Sequence, residues 1–201
     1  ASGESRPSRR NLTKIKPLTS QATILVLRYQ FNSAMSYSSQ VGRTLDDEHR
    51  TNLALLEKVE HALTRLAYSD PAFTGLMSQF ARAMEHDIER HFQFEEESLF
   101  PLMREAGDGE MADLMVEEHG VIREIACELL PLARIAAAGE MDEPQRVLLK
   151  QHALEMVERQ VAHIQKETMA LLPMLDDLLD QETDRELAFA YACDPALRPS
   201  R

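Results

Sequence analysis

The stretch that decides the fold is His91-Phe92-Gln93-Phe94-Glu95, continued by Glu96-Glu97-Ser98-Leu99-Phe100-Pro101. It recurs 72 residues later as His163-Ile164-Gln165-Lys166-Glu167, continued by Thr168-Met169-Ala170-Leu171-Leu172-Pro173. Both copies read H-x-Q-x-E-x-x-x-L-x-P. On a helix, residues four apart share one face, one turn apart. Each copy therefore presents an imidazole and a carboxylate side by side, a pair able to grip a metal ion. Two such helices facing each other can grip two.

Working outward, the apolar spacing predicts four long helices. The first is expected over about 45–68, with Thr44 as N-cap, acids loading its first turn and Leu45, Leu53, Leu56 and Leu63 on its inner stripe. Ser69-Asp70-Pro71 breaks the chain, and Pro71 suits the first turn of a second helix over about 71–105. Its stripe is Phe80, Met84, Ile88, His91, Glu95, Leu99 and Leu102, and Pro101 is expected to kink or cap its end. After the turn Gly107-Asp108-Gly109, a third helix is expected over 110–138 with stripe Ala112, Met115, Val116, His119, Ile122, Ala126 and Leu130, bent at Pro131. A fourth, 143–179, carries Leu149, His152, Met156, His163, Glu167, Leu171 and Met174. Long amphipathic helices with short connections imply an all-α, up-down-up-down four-helix bundle, whose metal sites are built from inward side chains.

Each helix then contributes one inward histidine: His49, His91, His119 and His163. Glu95 and Glu167 add two carboxylates. A lone histidine on an apolar face is an ordinary core residue. Four of them with two carboxylates form a costly buried polar cluster unless a metal compensates it. Imidazoles with carboxylates suit a pair of iron ions, and the cysteine-rich tetrahedral set of structural zinc is absent from the sequence. Six protein ligands on two irons leave positions open to a small molecule.

The chain from about Leu45 to Pro195 resembles the hemerythrin-like (HHE) proteins. The resemblance rests on Leu45-Asp46-Asp47-Glu48-His49, on His91-x-x-x-Glu95-Glu96-x-x-Leu99-Phe100-Pro101, on Glu117-Glu118-His119-x-x-Ile122-Arg123, on His163-Ile164-x-x-Glu167-x-x-x-Leu171-x-Pro173, and on Asp194-Pro195. It implies a non-haem, carboxylate-bridged centre of two iron ions. By that resemblance Glu95 and Glu167 bridge, His49 and His91 bind one iron, and His119 and His163 bind the other. The oxygen-carrying members have a second histidine one turn after the third-helix histidine, and an aspartate five residues after the fourth-helix histidine. Here Arg123 and Glu167, at four, stand instead. This variant resembles the repair-of-iron-centres proteins and the iron-sensing domain of an F-box ubiquitin ligase. It points away from simple oxygen carriage.

Four further residues are candidates for supporting or access roles. Asp87, one turn before His91, is expected to accept an imidazole N–H. Arg123 occupies the place of the fifth histidine. Glu60 and His152 each lie eleven residues from a histidine of their own helix, so a Glu60–His152 contact is expected at the far end of the bundle, as a structural pair or an entry path. His61 and His86 fall off the stripes. Glu96, Glu97, Glu117 and Glu118 read as a solvated face.

Composition bounds the rest. The 201 residues suffice for one substantial domain. A formal net charge of −12 argues against nucleic acid as a partner. Cys127 and Cys193 match no disulfide or zinc framework and suit reduced thiols of a cytoplasmic protein. No apolar run approaches a membrane span. Residues 1–43 carry seven basic residues and one acid, and read as a poorly ordered or accessory basic extension. Met35 opens a run that looks like an ordinary protein start. Residues 44–181 are expected to form the bundle and 182–201 a tail with one amphipathic piece, Leu187, Phe189, Ala190 and Tyr191. The expected function is a cytoplasmic di-iron protein binding O2 or NO for sensing, scavenging or storage. The alternatives are an enzyme of NO, peroxide or oxygen stress chemistry, and an iron donor for cluster repair. No reductant-binding motif is present, which favours binding over catalysis.

Overall fold

The computed structural model describes residues 37–193. The basic extension up to residue 36 and the Asp194-Pro195 pair lie outside the described residues. Five helical rods follow in order: α1, Gln40–Arg65; α2, 71–106; α3, Gly109–Ala138; α4, 143–178; and α5, Gln181–Cys193. The first four pack in a ring, α1 against α2, α2 against α3, α3 against α4 and α4 against α1, and α5 lies on α1. This is the expected four-helix bundle, with no strand among the described residues. No described helix is long and apolar enough to cross a membrane.

Helix ends follow local chemistry except at the start of α1. Asp70 caps α2, its carboxylate accepting from Ala72 N–H, with Pro71 in the first turn. Asp142 and Gln145 form a reciprocal capping box on α4. Gly107 and Gly139 end α2 and α3 at φ 100° and 75°, backbone that a side chain resists. The first helix, however, begins at Gln40, not near Leu45, and its cap is Ser39 rather than Thr44. Thr44 Oγ1 donates back to the Gln40 carbonyl instead. The cause is distant in sequence. Asp176 accepts from Ser38 and Ser39 N–H, and Asp184 accepts from Gln40 and Val41 N–H. Two carboxylates, with the Ser39 hydroxyl accepting from Gly42 N–H, thus satisfy the orphan donors of the α1 N-terminus, where negative charge is also favoured by the helix dipole. Residues 37–43 therefore belong to the bundle, not to the extension.

The prolines explain a second difference. Each H-x-x-x-E-x-x-x-L-x-P repeat is α-helical up to its glutamate, then widens into a π turn, Glu95–Leu99 in α2 and Glu167–Leu171 in α4. The turns close with Phe100 N–H donating to Glu95 O and Leu172 N–H to Glu167 O. A proline has no N–H and its ring crowds the carbonyl four residues back. A wider turn just before Pro101 and Pro173 accommodates the ring, and helix continues beyond each to Ala106 and Leu178. The extra residue advances the register by one. Met103, not Leu102, is fully buried in α2, and Leu175, not Met174, in α4. In α3 Leu129 replaces Leu130 as the buried residue, and Pro131 is carried inside the continuous helix. A third π turn, Ala83–Asp87, has no proline after it.

The core at the metal end combines Tyr37, Val41, Leu45, Leu99, Phe100, Met103, Met115, Leu171, Leu175 and Tyr191. Each large apolar side chain buried here contributes about 1.5–3 kcal/mol. Tyr191 anchors α5 through this cluster, while Phe189 of the same amphipathic piece is 71 % exposed.

Candidate metal centre

The same face of α2 carries His91 and Glu95, and the same face of α4 carries His163 and Glu167, because both pairs lie within regular α-helix. Glu95 N–H still bonds to His91 O, and Glu167 N–H to His163 O. His49 on α1 and His119 on α3 meet them across the core. All six side chains are buried, the two glutamates completely.

The Nε2 atoms converge in two pairs. His49 and His91 Nε2 lie 3.2 Å apart, and His119 and His163 Nε2 lie 3.0 Å apart. Each carboxylate faces both pairs with opposite oxygens. Glu167 Oε2 is 3.0 Å from His49 Nε2, and its Oε1 is 2.8 Å from His163 Nε2. Glu95 Oε1 is 3.3 Å from His91 Nε2, and its Oε2 is 3.4 Å from His119 Nε2. Two ligand sets result, His49-His91-Glu95-Glu167 and Glu95-His119-His163-Glu167, each able to hold a metal ion and both sharing the two carboxylates.

The outer ring nitrogens are held too. His91 Nδ1 lies 3.0 Å from Glu48 Oε2, His119 Nδ1 2.7 Å from Glu96 Oε1, His163 Nδ1 3.1 Å from Glu118 Oε2, and His49 Nδ1 3.2 Å from Thr168 Oγ1. Each partner sits on the preceding rod of the ring: α1 supports α2, α2 supports α3, α3 supports α4, and α4 supports α1. A carboxylate only accepts, so Nδ1 of these three histidines carries the proton and Nε2 turns a lone pair inward. The Thr168 hydroxyl completes the same arrangement for His49.

Lone pairs then face lone pairs. Among the described residues, none of the four oxygens of Glu95 and Glu167 has a hydrogen-bond partner. Buried carboxylates left so are expensive, and a cation between the nitrogens and oxygens removes the cost. The donor set fits a metal pair. Without metal, protons must substitute. Burial alone would lower the imidazole pKa values, but the Glu95 and Glu167 carboxylates reverse this, holding His91 well above its ordinary value and His163 at about 9. Burial alone would raise Glu167, yet the surrounding imidazoles hold it well below the usual carboxylate range.

The supporting residues differ from the sequence expectation. The acceptor for His91 is Glu48, not Asp87, which is exposed. Glu48 also accepts from Tyr191 O–H at 2.6 Å and pairs with Arg90. Glu96 and Glu118 are not simply a solvated face, although Glu97 and Glu117 are exposed. Arg123 lies outside the cluster. It donates to Glu96 at 2.7 Å and to both oxygens of Glu89 at 2.8 and 3.0 Å. Its guanidinium lies over Phe92, whose ring stacks on His119 at 3.7 Å. The Glu60–His152 contact does not form: His152 Nδ1 approaches Glu128 at 3.5 Å, and Glu60 is buried with Oε1 unpartnered among the described residues. His61 and His86 are exposed as expected.

A cavity of about 350 Å³ reaches the centre between α1, α2 and α4. Exposed Thr44, Asp47, Thr51 and Asp87 line its outer part, and buried His49, His91, His163 and Glu167 its inner part. The cavity thus joins the exposed surface of this wall to the cluster.

No curated protein matches the chain. A family model, the hemerythrin HHE cation-binding domain, matches residues 41–175. That span covers all four bundle rods up to Leu175 and every residue of the His/Glu cluster, so the sequence match and the geometry fall on the same residues. On both grounds the chain belongs to the hemerythrin HHE cation-binding family.

Proposed function

We propose that the six buried side chains hold two iron ions, with Glu95 and Glu167 bridging them, and that the centre binds a small diatomic, O2 or NO, for sensing or scavenging. The observation that carries this reading is the ring of fixed histidines. All four turn Nε2 inward because their Nδ1 atoms are occupied, and they surround two carboxylates whose four oxygens have no donor. Metal-binding histidines are characteristically oriented by such an outer partner. Iron bound there supplies open coordination positions and a reversible one-electron change.

The chain's own residues do the rest. Glu48, Glu96 and Glu118 keep the imidazoles in the ligating tautomer. Phe92 and Phe100 stack about His119 and exclude water on the α3 side. The cavity admits a small ligand from the α1–α2–α4 side. Asp47 and Asp87 at its mouth disfavour anions and leave uncharged ligands unhindered.

The test is metal analysis of the full chain after anaerobic loading with Fe(II), followed by optical spectra under O2 and then NO. Two irons per chain with stoichiometric spectral changes are expected. Zinc in place of iron, or fewer than two metals, overturns the proposal. Sustained turnover with a reductant would assign the site to enzymatic NO or oxygen chemistry instead.

A further inference from the structure

One buried polar group near the centre has no role in the ring of ligands and supports. Gln160 sits on α4 three residues before His163, about 4.5 Å along the axis and on the same face. It is 1 % exposed. It lines the cavity together with His49, His91, His163 and Glu167. Its Oε1 faces Asn52 Nδ2 of α1 at 3.5 Å, a long and weak contact. Its Nε2 has no hydrogen-bond partner among the described residues. Asn52 lies three residues after His49 on the antiparallel rod, so the two amides meet at one level on the cavity wall beside the metal ligands.

A fully buried amide N–H without an acceptor opposes folding, and replacing it by an apolar group of like shape is neutral or stabilising. The same N–H stabilises any state in which an acceptor stands beside it. The cavity is where that acceptor enters. A metal ion held by the His/Glu cluster would donate electron density to an uncharged diatomic, and the outer atom of that diatomic would accept a hydrogen bond from a nearby N–H.

We propose that Gln160, positioned by Asn52, forms a hydrogen-bonding subsite in the cavity for the far atom of an uncharged diatomic bound at the metal centre, slowing its release. This rests on the reading of the centre given above. Asn52 Nδ2 approaches Gln160 Oε1, which leaves Nε2, the donor, as the amide atom without a partner on this cavity-lining residue. Ile88 and Ile164 give the surrounding wall an apolar character, which strengthens a single hydrogen bond there.

The test compares wild type with Gln160→Met, which keeps the unbranched shape and removes the amide. Two measurements are made on the full chain. The first is the thermal midpoint of the metal-free protein. The second, on iron-loaded protein, is the NO release rate with the isotope-shifted N–O stretch in the infrared. The proposal expects unchanged iron content, a metal-free midpoint raised by about 2–4 °C, NO release faster by about tenfold, and a stretch moved to higher frequency. A lowered midpoint with unchanged release and stretch overturns it, because Gln160 then only packs with Asn52. Iron-loaded wild type that gives no nitrosyl signal overturns the reading of the centre itself, and the subsite with it. A nitrosyl signal in wild type that Q160M leaves unmoved overturns the subsite alone.

Discussion

Glu118 gives the sharpest test of the supporting ring. One oxygen lies 3.1 Å from His163 Nδ1, and the other pairs with Lys166. The bond from His163 is the main reason its carboxyl is lowered to about 2. Removing an outer partner of a metal-bound histidine costs about 10–100-fold in metal affinity, or about 1.4–2.7 kcal/mol. Glu118→Ala removes the acceptor outright and is expected to fall in that range. Glu118→Gln keeps a neutral acceptor. A charge-assisted bond is about twice as strong as a neutral one worth about 1 kcal/mol, so the amide should lose about 1 kcal/mol, roughly fivefold. The loss is local. It falls on the half holding His119 and His163, while the half holding His49 and His91 changes by less than about twofold. Anaerobic Fe(II) titration against a competing chelator resolves the two steps. Equal affinity in wild type and Glu118→Ala would refute the ring as a determinant of binding. An equal loss in both halves would show that Glu118 acts on the fold and not on His163.

Two other outcomes follow from the same geometry. His163 at about 9 stands above its ordinary 6.5, so its contribution to metal-free stability is complete below pH 6.5 and is lost as pH rises through 9. Glu118 at about 2 stands below its ordinary 4.5, so its contribution is complete above pH 4.5 and is lost as pH falls towards 2. The metal-free chain should therefore melt highest between about pH 4.5 and 6.5, and metal loading should remove the alkaline loss; a metal-free midpoint flat from pH 6 to 9 would contradict this. Tyr191→Phe removes the 2.6 Å bond to Glu48 that ties α5 to the centre. Urea unfolding should show a loss of about 1.5–3 kcal/mol, the worth of a hydrogen bond to a charged group, and an unchanged midpoint would mean that α5 is not coupled to the site.

The six clustered side chains were legible because their signal is local and repeated. Four inward histidines and two carboxylates at helical spacing need only the α period to be placed on one face. Register beyond the π turns was not legible from that period. Leu102 and Met174 fit a 3.6-residue count, and only the widened turns before Pro101 and Pro173 bring Met103 and Leu175 inward instead. The start of α1 was hidden for a different reason: besides the local Ser39 cap, its first N–H groups are held by Asp176 and Asp184, more than 130 residues away. The Glu60–His152 pairing failed because equal height along two antiparallel helices does not fix the direction in which each side chain leans. His152 turns towards α3 and meets Glu128.

The supporting carboxylates were within reach of the sequence, and the internal repeat shows how. On α1 and α3 the clustered histidine is preceded by an acid pair ending in glutamate, Asp47-Glu48-His49 and Glu117-Glu118-His119. On α2 and α4 the ligating glutamate is followed by the supporting residue, Glu95-Glu96 and Glu167-Thr168. A residue adjacent to an inward one points about 100° around the helix, towards the next rod of the ring. Each support therefore reaches the neighbouring histidine and not its own. The three carboxylates each meet one base as well: Glu48 with Arg90, Glu96 with Arg123, Glu118 with Lys166. A carboxylate between an imidazole N–H and a fixed cation stays ionised and keeps that N–H in place. Arg123 Nη1 donates to the same Glu96 oxygen that meets His119 Nδ1, so its guanidinium is tied to the cluster through Glu96. His49, whose Nδ1 meets the neutral Thr168 hydroxyl, is the one of the four clustered histidines without a charged partner on Nδ1. The two halves of the centre are thus built alike but held unequally, and the half facing the cavity through both its histidines is the one held less tightly.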